Sequence, residues 1–196
     1  MTNKYKYFVA NWKMNGDINS IKSLKKVIQF QNSFKSNKYK IIYCPPFTLL
    51  DSFVKELNKS KIKVGAQNRH YQELNGPYTG FISSRMIKNI GCKYVIIGHS
   101  ESRNEGDTNF KINKKIQSSI RSNLNIFLCF GESLKEKKKN LTKKVLKKQL
   151  VQGLKKIKKL DKIIFAYEPI WSIGTGVIPK SKELMENFNY IKKLLK

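Results

Sequence analysis

Short apolar runs and amphipathic segments alternate along the chain about every 30 residues. The predicted strands are residues 4–11, 40–44, 61–66, 94–98, 125–130 and 162–167. The predicted helices are residues 18–36, 49–57, 83–89 with Gly91 as C-terminal cap, 108–122, a lysine-rich segment around 145–160, and a last helix with Ser181 as N-cap. Phe30 and Phe110 fall on the predicted inner faces of their helices. Strands that alternate with helices in this way predict βαβ units and a parallel sheet.

Two architectures fit this pattern, a doubly wound open sheet and a (β/α)8 barrel. A dinucleotide-binding open sheet carries G-x-G-x-x-G after its first strand, but no such motif follows the run 4–11, and the late Gly-Thr-Gly of residues 174–176 lacks a third glycine. Polar residues instead follow several strands, where a barrel has its active face. These residues are Asn11, Lys13, Gln67, Asn68, His99, Glu132 and Glu168. The pattern favours an α/β barrel, with six of the eight units present.

The net charge of +27 raises the possibility of a basic nucleic-acid or anion-binding module. The cations are almost all lysines scattered along the chain, whereas specific readers of bases and phosphates rely on arginine. The charge therefore predicts only weak, salt-dependent adhesion to polyanions and no specific nucleic-acid partner. The lysine-rich helix fits a solvated outer face better than a membrane-surface element.

The remaining composition points to one domain without a membrane partner. A length of 196 residues fits a single domain, residues 1–196. No apolar run is long enough to span a bilayer, and none resembles a signal peptide. Cys44, Cys92 and Cys129 lie in or beside apolar runs without a C-x-x-C pair. This usage fits a reducing cytoplasm and argues against a disulfide framework or a zinc site.

Residues 166–176 carry a lone carboxylate, Glu168, at the tip of a predicted strand. Pro169 biases Glu168 away from helical angles. Trp171 follows, and then a Gly-Thr-Gly that can present backbone N–H groups to an anion. A base at a strand tip before a loop with a rigid start and a flexible end predicts a catalytic lid. The alternative is a strand, a turn and a helix with an incidental glutamate.

Residues 98–103, Gly-His-Ser-Glu-Ser-Arg, place an imidazole at a second strand tip, close to a carboxylate and a guanidinium. A nucleophile elbow, G-x-S-x-G with Ser100 attacking, is a rival interpretation. Ser102 replaces its last glycine, however, and the other histidine, His70, lies in a predicted loop. A structural role for His99 is the second alternative.

Four motifs, in order and in spacing, resemble the triosephosphate isomerase family. They are N-W-K-M-N at 11–15, G-H-S-E at 98–101 with Arg103, C-F-G-E at 129–132, and A-Y-E-P-I-W-S-I-G-T-G at 166–176. Residues 76–80, Gly-Pro-Tyr-Thr-Gly, are similar to the dimer loop of that family. The resemblance covers residues 4–196.

The resemblance implies a TIM (β/α)8 barrel that isomerises dihydroxyacetone phosphate and D-glyceraldehyde 3-phosphate in the cytoplasm, with no cofactor and no metal. It implies that Glu168 is the base, His99 the neutral electrophile and Lys13 a fixed positive charge, as is known for the family. Further implied site residues are Asn11, which lines the pocket, Gly174, whose N–H binds the substrate phosphate, Glu101, which orients Lys13, and Cys129 behind them. Proton abstraction beside a carbonyl needs such a base, a donor at the oxyanion and exclusion of water.

The resemblance further implies a small phosphorylated triose as substrate and a homodimer formed through residues 67–79. Ser102 stands where the family has arginine and Phe81 where it has glutamate, which affects stability or dimer contacts more than chemistry. The family has two further units whose loops hold the phosphate, so a C-terminally truncated barrel is expected, nearly inactive alone. A non-catalytic or partner-completed remnant of the enzyme is the alternative.

Overall fold

Six parallel strands form one sheet in sequence order in the computed structural model, which describes residues 5–34, 36 and 38–196. The strands are β1 (Lys6–Asn11), β2 (Tyr39–Cys44), β3 (Lys63–Ala66), β4 (Tyr94–Ile97), β5 (Asn125–Phe130) and β6 (Ile163–Tyr167). Tyr7 of β1 and Phe127 of β5 meet edge to face with ring centroids 5.7 Å apart. In a flat sheet these strands would lie about 19 Å apart. The sheet is therefore curled, which agrees with the predicted barrel of six units.

Helices follow the strands as predicted. They are α1 (Leu24–Ser33), α2 (Leu50–Leu57), α3 (Ser84–Ile90), α4 (Ser100–Asn104), α5 (Asn109–Arg121), α6 (Leu134–Lys138), α7 (Thr142–Gly153) and α8 (Ser181–Leu194), with 3-10 turns at Ile18–Ser23, Phe47–Leu49 and Ile170–Ser172. One core cluster joins these helices to one face of the strands. A second cluster contains strand residues and no helix residues, so it fills the concave side of the sheet. Successive side chains of a strand point to opposite faces of the sheet, so the strands contribute residues to both clusters.

Several helix boundaries and two inner-face assignments were wrong. The segment predicted as a helix over 18–36 begins with a 3-10 turn, and Phe30 is exposed, as is Phe110 on α5. The long helix predicted to residue 160 ends at Gly153. Lys156 adopts a φ of +64°, which is incompatible with a continuing helix.

Local capping explains most of the other differences. Lys180, not Ser181, occupies the N-cap of α8 and makes no side-chain capping bond. The short helices α4 and α6 were not predicted, and each begins at a side chain that accepts a backbone N–H: His99 and Ser133. Gly91 caps α3 in the left-handed conformation, as predicted. Lys4 and Lys35, at the limits of two predicted elements, lie outside the described residues.

The two outer strands of the sheet, β1 and β6, each pair with one neighbour within the described ranges. Phe8 on β1 is 60% exposed. Beside it lies an apolar groove of about 530 Å³ lined by Phe8, Phe30, Phe34 and other residues of β1, α1 and β2. Open parallel edges with apolar surface are sites of association.

We predict that the ion pair between Lys115 and Asp107 stabilises the fold far more than the pair between Lys55 and Asp51. Both pairs have an Nζ–O distance of 2.6 Å, but the side chains of Lys115 and Asp107 are 6% and 10% exposed and those of Lys55 and Asp51 75% and 60%. Removing Asp107 leaves a buried ammonium without its counter-ion, and burial already lowers the pKa of Lys115.

Urea denaturation is expected to give a loss of about 3–5 kcal/mol for Asp107→Ala. The matched control, Asp51→Ala, is expected to change stability by about 0.5 kcal/mol or less. Equal losses in the two variants would contradict the prediction.

Candidate active site

The predicted site residues meet where the strands end. Glu168 follows β6 directly, and its Oε2 lies 3.7 Å from Nε2 of His99, which stands two residues after β4. Nδ1 of His99 lies 3.5 Å from Oε2 of Glu101. Oε1 of Glu101 accepts a 2.7 Å hydrogen bond from Nζ of Lys13, which stands two residues after β1. The ends of β1, β4 and β6 thus supply one continuous chain of ionisable groups.

The carboxylate of Glu168 is largely buried, with a side chain 20% exposed. Burial raises its pKa, while His99, the backbone N–H of Ser100 and Arg103 oppose that rise. The Ser100 N–H donates to Oε1 at 3.2 Å. Burial also raises the pKa of the Cys129 thiol, which keeps its proton and donates to Glu168. Desolvation makes Glu168 a stronger base than an exposed carboxylate, because its charged form is less favourable.

The tautomer of His99 follows from its backbone contact. Its Nδ1 accepts the backbone N–H of Glu101 at 3.3 Å, at the first turn of α4. That nitrogen therefore carries no proton in the neutral ring, and the proton lies on Nε2. Nε2 is the nitrogen nearest Glu168. A neutral imidazole in this tautomer can donate a hydrogen bond to a substrate oxygen placed beside Glu168.

The backbone of Lys13 is held in an unfavourable conformation. Its φ is +53°, in the left-handed region, which costs a non-glycine residue about 1–2 kcal/mol. The Lys13 N–H donates to Oδ1 of Asn11 at 3.1 Å, and the Lys13 carbonyl accepts Nε2 of Gln67 at 2.8 Å. Gln67 also donates to the carbonyl of Cys44 at 2.8 Å. Asn11 and Gln67 therefore aim the Lys13 side chain toward Glu101.

Three polar residues were noted at strand ends without an assigned role: Gln67, Asn68 and Glu132. The place of Gln67 directly after β3 was the available signal. Glu132 is fully buried. Its carboxylate accepts Nε1 of Trp171 at 2.8 Å and the hydroxyl of Tyr167 at 3.1 Å. Glu132 thus holds the first part of the segment that follows Glu168.

The segment after Glu168 has an anchored half and a free half. Trp171 is 9% exposed, and Nζ of Lys137 lies 3.4 Å from the centroid of its ring. Lys137 is itself paired with Glu183 at 2.6 Å. By contrast, Gly174 has a φ of +68°, and a Cβ there would meet no atom within 4 Å. Gly174 thus borders open space on its Cβ side, and residues 174–178 are exposed.

Arg103 ties the ends of β4 and β5 together. Its Nε donates to the carbonyl of Gly98 at 2.8 Å, and one terminal nitrogen donates to the carbonyl of Cys129 at 3.2 Å. The other terminal nitrogen donates to Oδ1 of Asn109 at 2.8 Å. Arg103 therefore fixes the spacing between the His99 and Cys129 strand tips.

The two positions that depart from the family line one pocket of about 340 Å³. Ser102 is half-buried and accepts Nδ2 of Asn68 at 3.2 Å. Phe81 is 60% exposed, and its ring contacts that of His70 at a tilt of 44° with centroids 4.7 Å apart. Neither residue contacts Glu168, in keeping with a role outside the chemistry.

No cluster of three or more His, Cys, Asp or Glu side chains that could hold a metal ion occurs in the part of the chain that the structure describes. Over the same residues, no helix has both the length and the apolar character needed to cross a membrane.

Comparison with known proteins gives one consistent family. The sequence model of the triosephosphate isomerase family matches residues 6–196. The chain is 40% identical to the triosephosphate isomerase of Clostridium botulinum (strain ATCC 19397 / Type A) over 95% of this chain and 75% of that protein. It is 40% identical to that of Dictyoglomus thermophilum over 97% and 77%. The crystal structure of triosephosphate isomerase from Bartonella henselae superposes with a TM-score of 0.84 at 34% identity, over 95% of this chain and 73% of that one.

We predict that the buried carboxylate of Glu168 destabilises the folded chain at neutral pH. Because burial raises the pKa of Glu168 above its ordinary value of 4.5, the folded state binds this proton more tightly than the unfolded state does. The stabilisation gained by binding this proton is fully present when the pH is below the ordinary pKa of Glu168. It is lost as the pH rises through the raised pKa of Glu168 in the folded chain. Glu168→Gln removes the ionised form, so it is expected to be more stable than the parent at pH 7.

Urea denaturation at pH 7 and at about pH 4 measures this difference, which is expected to shrink at the lower pH. Glu56→Gln, at an exposed position of α2, controls for the loss of one carboxylate. A parent chain that is more stable than Glu168→Gln at pH 7 is the contradictory result.

Proposed function

Because the chain belongs to the triosephosphate isomerase family, we propose that it interconverts dihydroxyacetone phosphate and D-glyceraldehyde 3-phosphate through Glu168, His99 and Lys13. The observation that carries these assignments is the 3.7 Å approach of Glu168 and His99, with Lys13 joined to them through Glu101. Side chains from three separated strand tips form one base, one neutral donor and one cation. The family match does not favour a nucleic-acid module as the main function.

In the proposed reaction, Glu168 removes a proton from the carbon next to the substrate carbonyl. The electron pair moves to the carbonyl oxygen and forms an enediolate, to which Nε2 of His99 donates a hydrogen bond. The ammonium of Lys13 stabilises the negative charge that develops on the substrate. Nε2 of His99 passes its proton to the former carbonyl oxygen and takes up the proton of the neighbouring hydroxyl, whose oxygen becomes the new carbonyl. The protonated Glu168 then delivers its proton to the adjacent carbon. The proton is returned, so the reaction needs no outside electron donor or acceptor.

Glu168 has to exchange one contact for another during this cycle. Its Oε1 now accepts the Ser100 N–H at 3.2 Å, so the carboxylate must turn from that donor to reach a substrate carbon. We propose that closure of the free half of the lid drives this turn. The Gly174 N–H then binds the substrate phosphate, and the closed lid excludes water from the enediolate.

We also propose a cytoplasmic homodimer formed through residues 67–79. Cys44, Cys92 and Cys129 are buried free thiols, which supports a reducing compartment. Rings within the loop contact one another, since the centroid of His70 lies 4.3 Å from that of Tyr71 and 4.6 Å from that of Tyr78, with the rings tilted.

Glu168→Gln is expected to reduce isomerisation by about 10²–10⁴-fold, because a positioned general base contributes a factor of this size. Two readouts measure it: conversion of dihydroxyacetone phosphate at high protein concentration, and exchange of the substrate's carbon-bound proton with D₂O by NMR. The exchange isolates the step that Glu168 performs.

Glu56→Gln removes an exposed carboxylate on α2 and is the control. Proton exchange by Glu168→Gln within about tenfold of the parent would exclude Glu168 as the base.

Leu74→Glu is expected to convert the dimer to monomer, because Leu74 is a 54% exposed apolar residue in the proposed dimer loop. Sedimentation velocity measures the change. Val151→Glu on α7 is the matched control, since Val151 is 59% exposed and lies outside the loop. If Phe8→Lys at the open edge of β1 gives monomer and Leu74→Glu does not, the copies associate through that edge instead.

A further inference from the structure

We propose that α7 and the residues flanking it form a sequence-independent binding surface for the phosphate backbone of nucleic acids. We call residues 137–160 the lysine face. It contains eleven lysines and no acidic residue, and it lies between Glu136 and Asp161. All 13 acidic residues of the chain therefore lie outside it. The lysine face thus carries 11 of the 27 net positive charges on 24 of the 196 residues.

Ten of the eleven lysines are exposed and available. They are Lys138, Lys139, Lys143, Lys144, Lys147, Lys148, Lys155, Lys156, Lys158 and Lys159. Lys137 is engaged with Glu183, whereas none of these ten takes part in an ion pair with another residue that the structure describes. Their charges are therefore not neutralised within the chain.

The geometry of α7 arranges four of these charges in a row. Lys143, Lys144, Lys147 and Lys148 occupy two successive turns of the helix, and equivalent residues on those turns are about 6 Å apart along its axis. Leu146 and Leu150 point the opposite way into the core, at 0% and 2% exposure. Duplex DNA carries about one negative charge per 1.7 Å of its axis. A row of this spacing can therefore neutralise several phosphates at once.

A shallow groove continues the lysine face past the end of α7. It runs between α5 and the segment after α7 and is lined by Lys156, Lys158 and Lys159, and by Arg121, which is paired with Glu73. Together with the four lysines of α7, it forms a basic surface on the helical layer. The helix packs against α5 and α8, and Gln149 on it exchanges two 3.0 Å hydrogen bonds with the backbone of Gly131.

The side-chain chemistry selects phosphates over bases and over lipid. The lysine face contains no arginine and no aromatic residue, so it offers neither bidentate base readout nor stacking. A membrane-surface helix needs a free apolar face, but Leu146 and Leu150 are buried against the core, and Val151 is the one exposed large apolar residue of α7. These lysines suit nucleic-acid phosphates bound as point charges.

The test uses the full chain and a fluorescein-labelled 20-base-pair DNA duplex of arbitrary sequence. Fluorescence anisotropy gives Kd from 50 to about 300 mM KCl, and the slope of log Kd against log salt counts released counter-ions. The test variant replaces Lys143, Lys144, Lys147 and Lys148 by Gln. The matched control replaces Lys22, Lys25, Lys26 and Lys59, four exposed lysines of the opposite end of the chain, and has the same net charge. Thermal melts verify that both variants fold.

The lysine-face variant is expected to lose about tenfold or more in affinity at 100 mM KCl, and its salt slope is expected to fall by about three. The control is expected to change each quantity much less, and a second duplex sequence to bind the parent equally well. Equal losses in both variants would overturn the proposal, because total charge and not this face would then govern binding. It would also be overturned if the parent bound phosphatidylserine vesicles through these lysines but not the duplex.

Discussion

The position of Glu168 depends on a close approach between the chain segments that follow β5 and β6. The Glu168 N–H donates to the carbonyl of Phe130 at 3.0 Å, which extends the pairing of the two strands by one residue. Gly131 makes this approach possible, since a Cβ there would overlap the carbonyl oxygen of Glu168. The next contact, from the Ile170 N–H to the carbonyl of Glu132 at 3.1 Å, continues the same alignment. The backbone of Glu168 is therefore fixed, and only its side chain can move.

Around that fixed point, neighbouring strand tips restrain one another. Arg103 links β4 to β5 through carbonyl oxygens, and Gln67 links the turn after β1 to the end of β2. Buried hydrogen bonds of this kind are costly to leave unmade, so each tip holds the next in register. The left-handed backbone of Lys13 persists for the same reason. The conformation that aims its ammonium is maintained by groups on other strands.

The sequence predicted six parallel strands and the gathering of polar side chains at their carboxyl ends, because both follow from periodicity and from polar residues at strand tips. It did not predict the end of α7 at Gly153, since Leu154 and Ile157 continue the apolar pattern and still pack on the core after the helix has ended. Phe110 fits the helical spacing yet is exposed, because its position depends on tertiary neighbours. The role of Glu132 could not be predicted either, because its partners, Trp171 and Tyr167, lie more than thirty residues away along the chain.

The division of the segment after Glu168 has an entropic consequence for substrate binding. Fixing the backbone of one residue costs about 1–2 kcal/mol at room temperature. Trp171 and its partners are already ordered before any ligand arrives, whereas residues 174–178 are exposed. The proposed closure therefore has to immobilise only about half of the segment. The Trp171 indole ring is already packed between Glu132 and Lys137. Binding of a phosphorylated triose therefore does not have to supply the several kcal/mol needed to order this part of the segment. Such a ligand has few atoms with which to bind.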